Sequence, residues 1–513
     1  MGARIAYAGA VVLVVVALVG VGSASRQVLQ QRVWLDDHLP AVVYEPHAAS
    51  DESRLPVLVL SHGELANGSL LSSLARKLAR QGIAVVVFDS RGHGRNRLPF
   101  ERSEGAGSEG MLDDFDAAVL WARGRSRYDG QRVAVGGYAS GAAGAMAYAA
   151  RRDPGVAAVV AISGSAPLDG PYPPPNVLLI WAEGDPSRLR ETLRQRGAEL
   201  IAARRVVVER DYGSFERGTA VRLAEIEWTN HLSILYAGDA VSEISSWLAR
   251  ALEPAGKARA AGDARLPWAA LGLLATLVLL WGVPRVLASL VPSVSLPEVA
   301  QPWRRLGLLA GALAGSAVLL VAVDPVSGSG PLSAYPLDGA RDLLGLFAIA
   351  GVGLLAYAAR DARVRSDGLG DWRTWAGAGL VVGLGYVTWG ILCQPFWDPL
   401  LTPRLVLPWL VAAALLLPWF GASEWLLRGA GRSRVWLPGA GRLVTLAALA
   451  AGAFAGLLPA VILPALLAIV LAFAVFEALA FRMSRLMPGP WIPALTQSLW
   501  TAWLLVAFFP YEG

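Results

Sequence analysis

The chain has 513 residues, of which 55% are hydrophobic and 17% charged, and its formal net charge is +5. This length predicts at least two large units. Most of the charge precedes about position 266, and the second half is rich in Leu, Ala, Val, Gly and Trp, which excludes a wholly water-soluble protein. The basic residues form no aromatic-interleaved stripe, so we expect no nucleic-acid partner. A single cysteine, Cys393, excludes an intrachain disulfide.

The first apolar segment covers residues 5–22 and follows Arg4. It is uncharged and about as long as a helix that crosses the hydrocarbon core of a bilayer. The stretch 22–24 could serve as a signal-peptidase site, but the apolar run is longer than that of a typical signal peptide. We therefore predict an uncleaved transmembrane anchor over residues 1–24. With either interpretation the chain that follows is exported.

Residues 25–253 alternate short runs rich in Val and Ile with helical patterns. The leading segment, 32–45, has the pattern of an antiparallel hairpin at a sheet edge. Near-continuous apolar strands that alternate with helices predict an α/β domain with a doubly wound, mostly parallel sheet. The predicted strands are 57–61, 83–88, 132–136, 156–162 and 177–181, and the predicted helices are 69–81, 111–125, 141–151 and 187–203.

Polar and glycine-rich turns follow the predicted strands. His62 and Gly63 come after the first central strand, and the turn 89–94 (DSRGHG) follows the next one. The turn 137–141 (GYASG) ends a strand and opens a helix, as a nucleophile elbow does. Glu183-Gly184-Asp185 ends a later strand, and His231 precedes the closing helix.

The order of these turns resembles the α/β-hydrolase superfamily, in particular its compact esterase and peptidase members, over about 200 residues. The resemblance implies that Asp185 and His231 hold the acid and base positions of a catalytic triad. It also implies that backbone amides at Gly63, Glu64 and Ser140 form an oxyanion hole.

The nucleophile position departs from the superfamily pattern. The elbow needs small residues two positions before and two positions after the nucleophile, because the turn is strained. With Gly137 and Gly141 in those places, the nucleophile position is Ala139, which carries no nucleophile. A frame shifted by one residue would make Ser140 the nucleophile but would bring Tyr138 against the tight turn. In the unshifted frame, Ser140 contributes its backbone amide.

Two further histidines, His62 and His93, are expected to brace their loops. The spacing of histidine and cysteine predicts no metal site, and none of the motifs predicts a cofactor.

A linker over residues 254–265 precedes eight apolar segments that make up a predicted transmembrane bundle over 266–513. Glu477 lies inside one of these segments, where a carboxylate is a functional candidate unless a nearby arginine pairs with it. The segments are 266–283, 306–323, 343–359, 376–393, 405–421, 443–458, 460–481 and 491–509.

The distribution of arginine predicts the topology of this bundle. Arginines gather in the odd-numbered connections, whereas the even-numbered ones are acidic, mixed or uncharged, as the positive-inside rule requires. The prediction is nine spans with a cytoplasmic N-terminus, and with the α/β domain and the C-terminus outside the cytoplasm. The arginines of the odd connections are Arg285, Arg304, Arg305, Arg360, Arg363, Arg365, Arg373, Arg428, Arg432, Arg434, Arg442, Arg482 and Arg485. The acids of the even connections are Asp324, Asp338, Asp342 and Asp398.

Three functions remain open from the sequence. The first is a catalytically impaired relative of serine hydrolases that binds a lipid, peptide or envelope ligand, or a partner protein, in the old cleft. The second is an active ester or amide hydrolase. Its nucleophile is then Ser140, or Ala139 is an engineered change and the natural protein has a serine at position 139. The third is a scaffold subunit of a membrane complex. The missing nucleophile favours the first and third, and attachment at both ends favours membrane-attached or envelope ligands.

The predicted topology can be tested with a cysteine at Ser214 in a Cys393→Ser background. The new thiol should react with a membrane-impermeant reagent on intact cells, because the α/β domain is exported. A cysteine at Arg373, in a predicted cytoplasmic connection, is the control and should react only after lysis. Reaction of the Ser214→Cys thiol only after lysis would refute the topology.

Overall fold

The computed structural model describes residues 2–47, 54–100, 108–153, 155–254, 263–291, 299–327, 332, 334–337, 339–359, 369–429, 433–458, 462–487 and 489–512. Parts of the predicted linker and connections lie outside the described residues, namely 255–262, Asp338, Arg360, Arg363, Arg365 and Arg432. The chain divides into two compact units. The helical unit comprises Met1–Ala17, Ala270–Ile391 and Pro399–Phe509, and the sheet unit comprises Leu18–Ala269, Leu392–Asp398 and Pro510–Gly513.

The described part of the sheet unit contains a nine-stranded sheet in the order β1-β2-β4-β3-β5-β6-β7-β9-β8. Strands β4, β3, β5, β6, β7 and β9 are parallel neighbours, and β1, β2 and β8 pair antiparallel at the two edges. The strands are β1 (Leu29–Trp34), β2 (Pro40–Glu45), β3 (Leu55–Ser61), β4 (Ala84–Phe88), β5 (Tyr128–Tyr138), β6 (Ala158–Ile162), β7 (Val177–Ala182), β8 (Asp211–Tyr212) and β9 (Val221–Ile226). The predicted mostly parallel α/β fold is confirmed.

Helices cover both faces of this sheet. Alternate residues of β3 point to opposite faces: Val57 and Val59 belong to one core cluster, and Leu58 and Leu60 to the other. The first cluster includes residues of three helices and the second includes residues of two, so the sheet is doubly wound. The helices of the first face are α3 (Glu109–Arg123), α4 (Ser140–Arg151) and α5 (Ser187–Leu200), and those of the second are α2 (Ser72–Ala79) and α6 (Gly238–Leu252).

The remaining helices are long and apolar. Among the residues that the structure describes, nine helices have the length and composition of membrane spans, which matches the predicted number. They are α1 (Gly2–Ser25), α7 (Arg265–Leu287), α8 (Pro302–Ser327), α9 (Ala340–Ala359), α10 (Trp372–Cys393), α11 (Pro403–Leu427), α12 (Ser433–Phe454), α13 (Ile462–Leu486) and α14 (Trp491–Phe508).

A buried polar network joins four of these helices. Arg428, which caps the end of α11, contacts Glu424 at 2.5 Å and Glu477 of α13 at 2.5 Å. Gln497 of α14 donates to Glu424 at 2.8 Å, and Arg442 of α12 bonds to Gln497. Glu477 therefore pairs with an arginine. Glu424 is a further acid that lies inside an apolar helix, because α11 continues past the predicted end near 421.

Removal of one arginine from this network should destabilise the helical unit. Arg428→Leu leaves two acids without their main partner, and loss of one member of a buried pair costs about 3–5 kcal/mol. The matched control is Arg373→Leu at the exposed start of α10, where the same change should cost less than about 1 kcal/mol. Unfolding midpoints of the purified full chain in mild detergent measure both effects. Equal midpoints for the two variants would contradict this account.

Candidate functional site at the carboxyl edge of the sheet

Ala139 forms a strained turn between β5 and α4. Its φ is 53° and its ψ is −116°, outside the regions that alanine normally adopts. Such a conformation costs on the order of 1–3 kcal/mol and persists only when its surroundings hold it. Its N–H donates to Ile162 at 2.9 Å, and its carbonyl accepts from Ala142 and Ala143 at 3.1 and 3.2 Å. The turn is therefore fixed by β6 on one side and by α4 on the other.

Glycines leave the space that this turn requires. A Cβ atom on Gly137 would overlap the carbonyl group of Gly141, and a Cβ on Gly164 would overlap the carbonyl of Ala139. A Cβ on Gly141 would overlap the carbonyl oxygens of Ser61 and His62 at the end of β3. The glycines that the sequence pattern placed around the elbow thus lie where backbones meet directly.

Asp185 and His231 form a hydrogen-bonded pair, with 2.6 Å between Oδ1 and Nδ1. The Asp185 side chain is fully buried, whereas 41% of the His231 side chain is exposed. The second carboxylate oxygen of Asp185 accepts from the Ser163 hydroxyl at 2.7 Å and from the Ala182 amide at 2.9 Å. Burial acts to raise the pKa of Asp185, but the hydrogen bonds from His231, Ser163 and Ala182 outweigh it and lower that pKa. Asp185 is therefore ionised and accepts the proton on Nδ1, which leaves His231 Nε2 as a potential acceptor.

Ser163 was not identified from the sequence. It follows β6 at the same edge of the sheet, and the only signal was this position after a strand.

Two large apolar side chains close to His231 in the chain are exposed. Trp228 is 93% exposed and Leu232 is 54% exposed. Trp228 has a positive φ of 57°, and its N–H donates to the Glu183 carboxylate at 2.8 Å. Tyr138 contacts His231 in two ways. The Tyr138 hydroxyl donates to the His231 carbonyl at 2.9 Å, and the centroids of the two rings lie 5.0 Å apart.

The loop after β3 contacts the elbow directly. A Cβ atom on Gly63 would lie 3.0 Å from the Cβ of Ala139. The next amide, on Glu64, donates to the Ser140 hydroxyl at 2.9 Å. One of the amides that the resemblance assigns to an oxyanion hole is therefore already bonded within the chain. Burial raises the pKa of the Glu64 carboxyl group.

His62 and His93 brace the loops around the cleft. His62 Nε2 accepts from the Ser90 amide at 3.1 Å, so its Nδ1 carries the proton and donates to the Gly63 carbonyl at 2.8 Å. Burial lowers the pKa of His62 to about 4, so the ring is neutral. His93 Nδ1 contacts the Arg91 carbonyl at 2.9 Å.

A small cleft lies beside this loop, with about 20 Å³ of space for a water-sized molecule. The charge of Arg91 in its wall is neutralised by Asp114 at 3.2 Å. Within the described residues, His, Cys, Asp and Glu form no group of three that could hold a metal ion. The cleft is lined by His62, Gly63, Glu64, Ser90, Arg91, His93, Phe100, Ser108, Met111 and Ser140.

Comparison with known proteins identifies the class of this region. The family model of the alpha/beta hydrolase fold matches residues 56–203, which include Ala139 and Asp185. The chain therefore carries an α/β-hydrolase-fold domain fused to a region of membrane-like apolar helices.

The curated relatives carry no functional description. Two uncharacterized proteins of Mycobacterium tuberculosis, from strains CDC 1551 / Oshkosh and ATCC 25618 / H37Rv, are each 34% identical over 111 residues. The match covers 22% of this chain and 37% of each relative, so little more than a third of their length is represented here.

Solved structures resemble the sheet unit at low identity. A dienelactone hydrolase from Anabaena variabilis is 16% identical with a TM-score of 0.30, and the match covers 44% of this chain and 99% of that one. A hypothetical protein from Pseudomonas aeruginosa is 16% identical with a TM-score of 0.34, and the match covers 44% and 94% of the two chains.

The packing at the elbow predicts the effect of one added methyl group. Gly137→Ala forces the backbones of β5 and α4 apart and should destabilise the sheet unit by about 1–3 kcal/mol. Gly238→Ala is the matched control, because a Cβ at Gly238 meets no atom within 4 Å. Thermal unfolding of the purified full chain measures both variants. A Gly137→Ala protein as stable as the Gly238→Ala protein would refute the close contact.

Proposed function

We propose that this protein is a polytopic membrane protein whose extracytoplasmic hydrolase-fold domain binds a ligand or a partner in a cleft that lacks the attacking oxygen of a serine hydrolase. The observation that carries the proposal is the strained turn at Ala139, beside an intact pair of Asp185 and His231. Alanine offers no nucleophile, whereas the base and its orienting acid are retained.

The conformation of the elbow supports this frame over the frame shifted to Ser140. The positive φ falls on Ala139, and Ser140 is the first residue of α4. The Ser140 hydroxyl also accepts the Glu64 amide, so this oxygen is bonded to the oxyanion-side loop. Both features suit a residue that follows the nucleophile position.

The surroundings of His231 support a ligand with an apolar part. Trp228 and Leu232 expose large apolar side chains next to the histidine. The domain lies in the chain between two apolar helices, α1 and α7, which raises the effective concentration of membrane-attached ligands over soluble metabolites. Lipids and apolar envelope components are therefore the ligands we propose.

The composition of the sheet unit supports the proposed topology. The charge pattern places the α10–α11 connection and the C-terminus on the same side of the membrane as the domain. Both Leu392–Asp398 and Pro510–Gly513 belong to the sheet unit, as this topology requires.

The proposed function can be tested by restoring the missing oxygen. Ala139→Ser adds one atom to a turn whose neighbouring glycines are unchanged, within reach of a general base. The purified full-length variant should react with a fluorophosphonate probe at least about 100-fold faster than the unaltered chain, and His231→Ala in that background should abolish the gain.

Other outcomes have distinct meanings. Labelling of the unaltered chain that is lost with Ser140→Ala would establish the shifted frame and an active hydrolase. No labelling of a well-folded Ala139→Ser protein would mean that the surrounding site has also decayed, which favours a binding or a scaffold function.

A further inference from the structure

Asp398 joins the α10–α11 connection to a loop of the hydrolase fold within the sheet unit. Its backbone N–H donates to Asn67 Oδ1 at 3.1 Å, and Asn67 Nδ2 donates to the Asp398 carbonyl at 2.9 Å. The Asp398 carboxylate pairs with Arg95 at 3.0 Å, and only 13% of the Asp398 side chain is exposed. One residue of the connection thus holds two hydrolase loops, one through Asn67 and the other through Arg95.

These two loops form the wall of the cleft. The 62–68 loop contributes His62, Gly63 and Glu64, and the 89–100 loop contributes four further lining residues. Asp89 ties the two loops together, because its carboxylate accepts from the Gly68 amide at 2.8 Å and from the Arg95 amide at 3.0 Å. Asp398 therefore contacts Asn67 and Arg95, in two loops whose other residues line the cleft.

The C-terminal tail holds the second of these loops independently. The Tyr511 amide donates to the Gly92 carbonyl at 2.7 Å, and the Phe100 amide donates to the Tyr511 carbonyl at 2.6 Å. Phe100 is itself a lining residue of the cleft. The tail immediately follows α14, just as the connection that contains Asp398 immediately follows α10.

We propose that two segments from outside the 25–253 region fix the loops that line the cleft, with Asp398 and Tyr511 as positioning residues for the 62–68 and 89–100 loops. The inference rests on the proposed function only for the use of the cleft as a binding site. In this arrangement, segments that follow two of the apolar helices, α10 and α14, hold loops that line the cleft.

Hydrogen exchange of the full chain in detergent tests the role of Asp398. Asp398→Ala should accelerate amide exchange in peptides from the 62–68 and 89–100 loops by about two- to fivefold, because a partly buried ion pair is lost. Peptides from β6 should exchange as before. The matched control, Asp371→Ala, removes a carboxylate whose bond is to the nearby Arg373 amide and should change neither loop. Asp398→Glu should restore part of the protection.

Deletion of residues 510–513 tests the tail. Exchange in the 89–100 loop should accelerate by about fivefold, because the Phe100 amide loses its acceptor, while the 62–68 loop changes less. Unchanged exchange in both the deletion and Asp398→Ala overturns the proposal.

A reactivity measurement separates positioning from general stability. In the Ala139→Ser background, Asp398→Ala should slow fluorophosphonate labelling by about two- to tenfold at an unchanged unfolding midpoint, whereas Asp371→Ala should not. Loops that loosen in an Ala139→Ser chain that does not label would support the positioning role and refute the expected gain of reactivity in the proposed site. Labelling with unaltered loop exchange would do the reverse.

Discussion

The backbone turn at Ala139 is the constraint on which the rest of the site depends. A positive φ at a non-glycine residue needs surroundings that permit no other conformation, and here β3, β5, β6 and α4 meet with glycines at the contacts. The side chain of residue 139 makes no hydrogen bond in any of these contacts. The geometry of this turn is therefore held by backbone packing and by backbone hydrogen bonds.

The electrostatics of the site follow from what surrounds that turn. Asp185 is buried but receives hydrogen bonds from three groups, so it stays ionised and orients His231. His231 is partly exposed, and Trp228 and Leu232, which are close to it in the chain, are exposed as well. The Ser140 hydroxyl accepts a hydrogen bond from the Glu64 amide. The proposed binding site therefore has one free amide donor fewer than an oxyanion hole in which both amides are available.

Local sequence patterns predicted the strands and the turn that depend on residues close together in the chain. Continuous apolar runs gave β3 to β7, and the spacing of Gly137 and Gly141 gave the turn. Strand β9 was missed because Arg222 and Glu225 interrupt its apolar run, and Glu424 was missed because the apolar window closed before α11 ended. The bonds of Ser140, Asp398 and Tyr511 connect residues far apart in the chain. No periodicity or motif signals such contacts, since they arise only when loops from separate elements meet.

The buried network also changes which arginines determine the predicted membrane topology. Arg428 and Arg442 were counted as positive charges of a cytoplasmic connection, but both are buried and paired with Glu424 and Glu477. Paired charges inside a bundle are neutral and bias orientation little, because the positive-inside rule acts on basic residues of exposed connections. The predicted orientation therefore depends on the other arginines of the odd-numbered connections. Within the part of the chain that the structure describes, the exposed ones are Arg285, Arg304, Arg373 and Arg485.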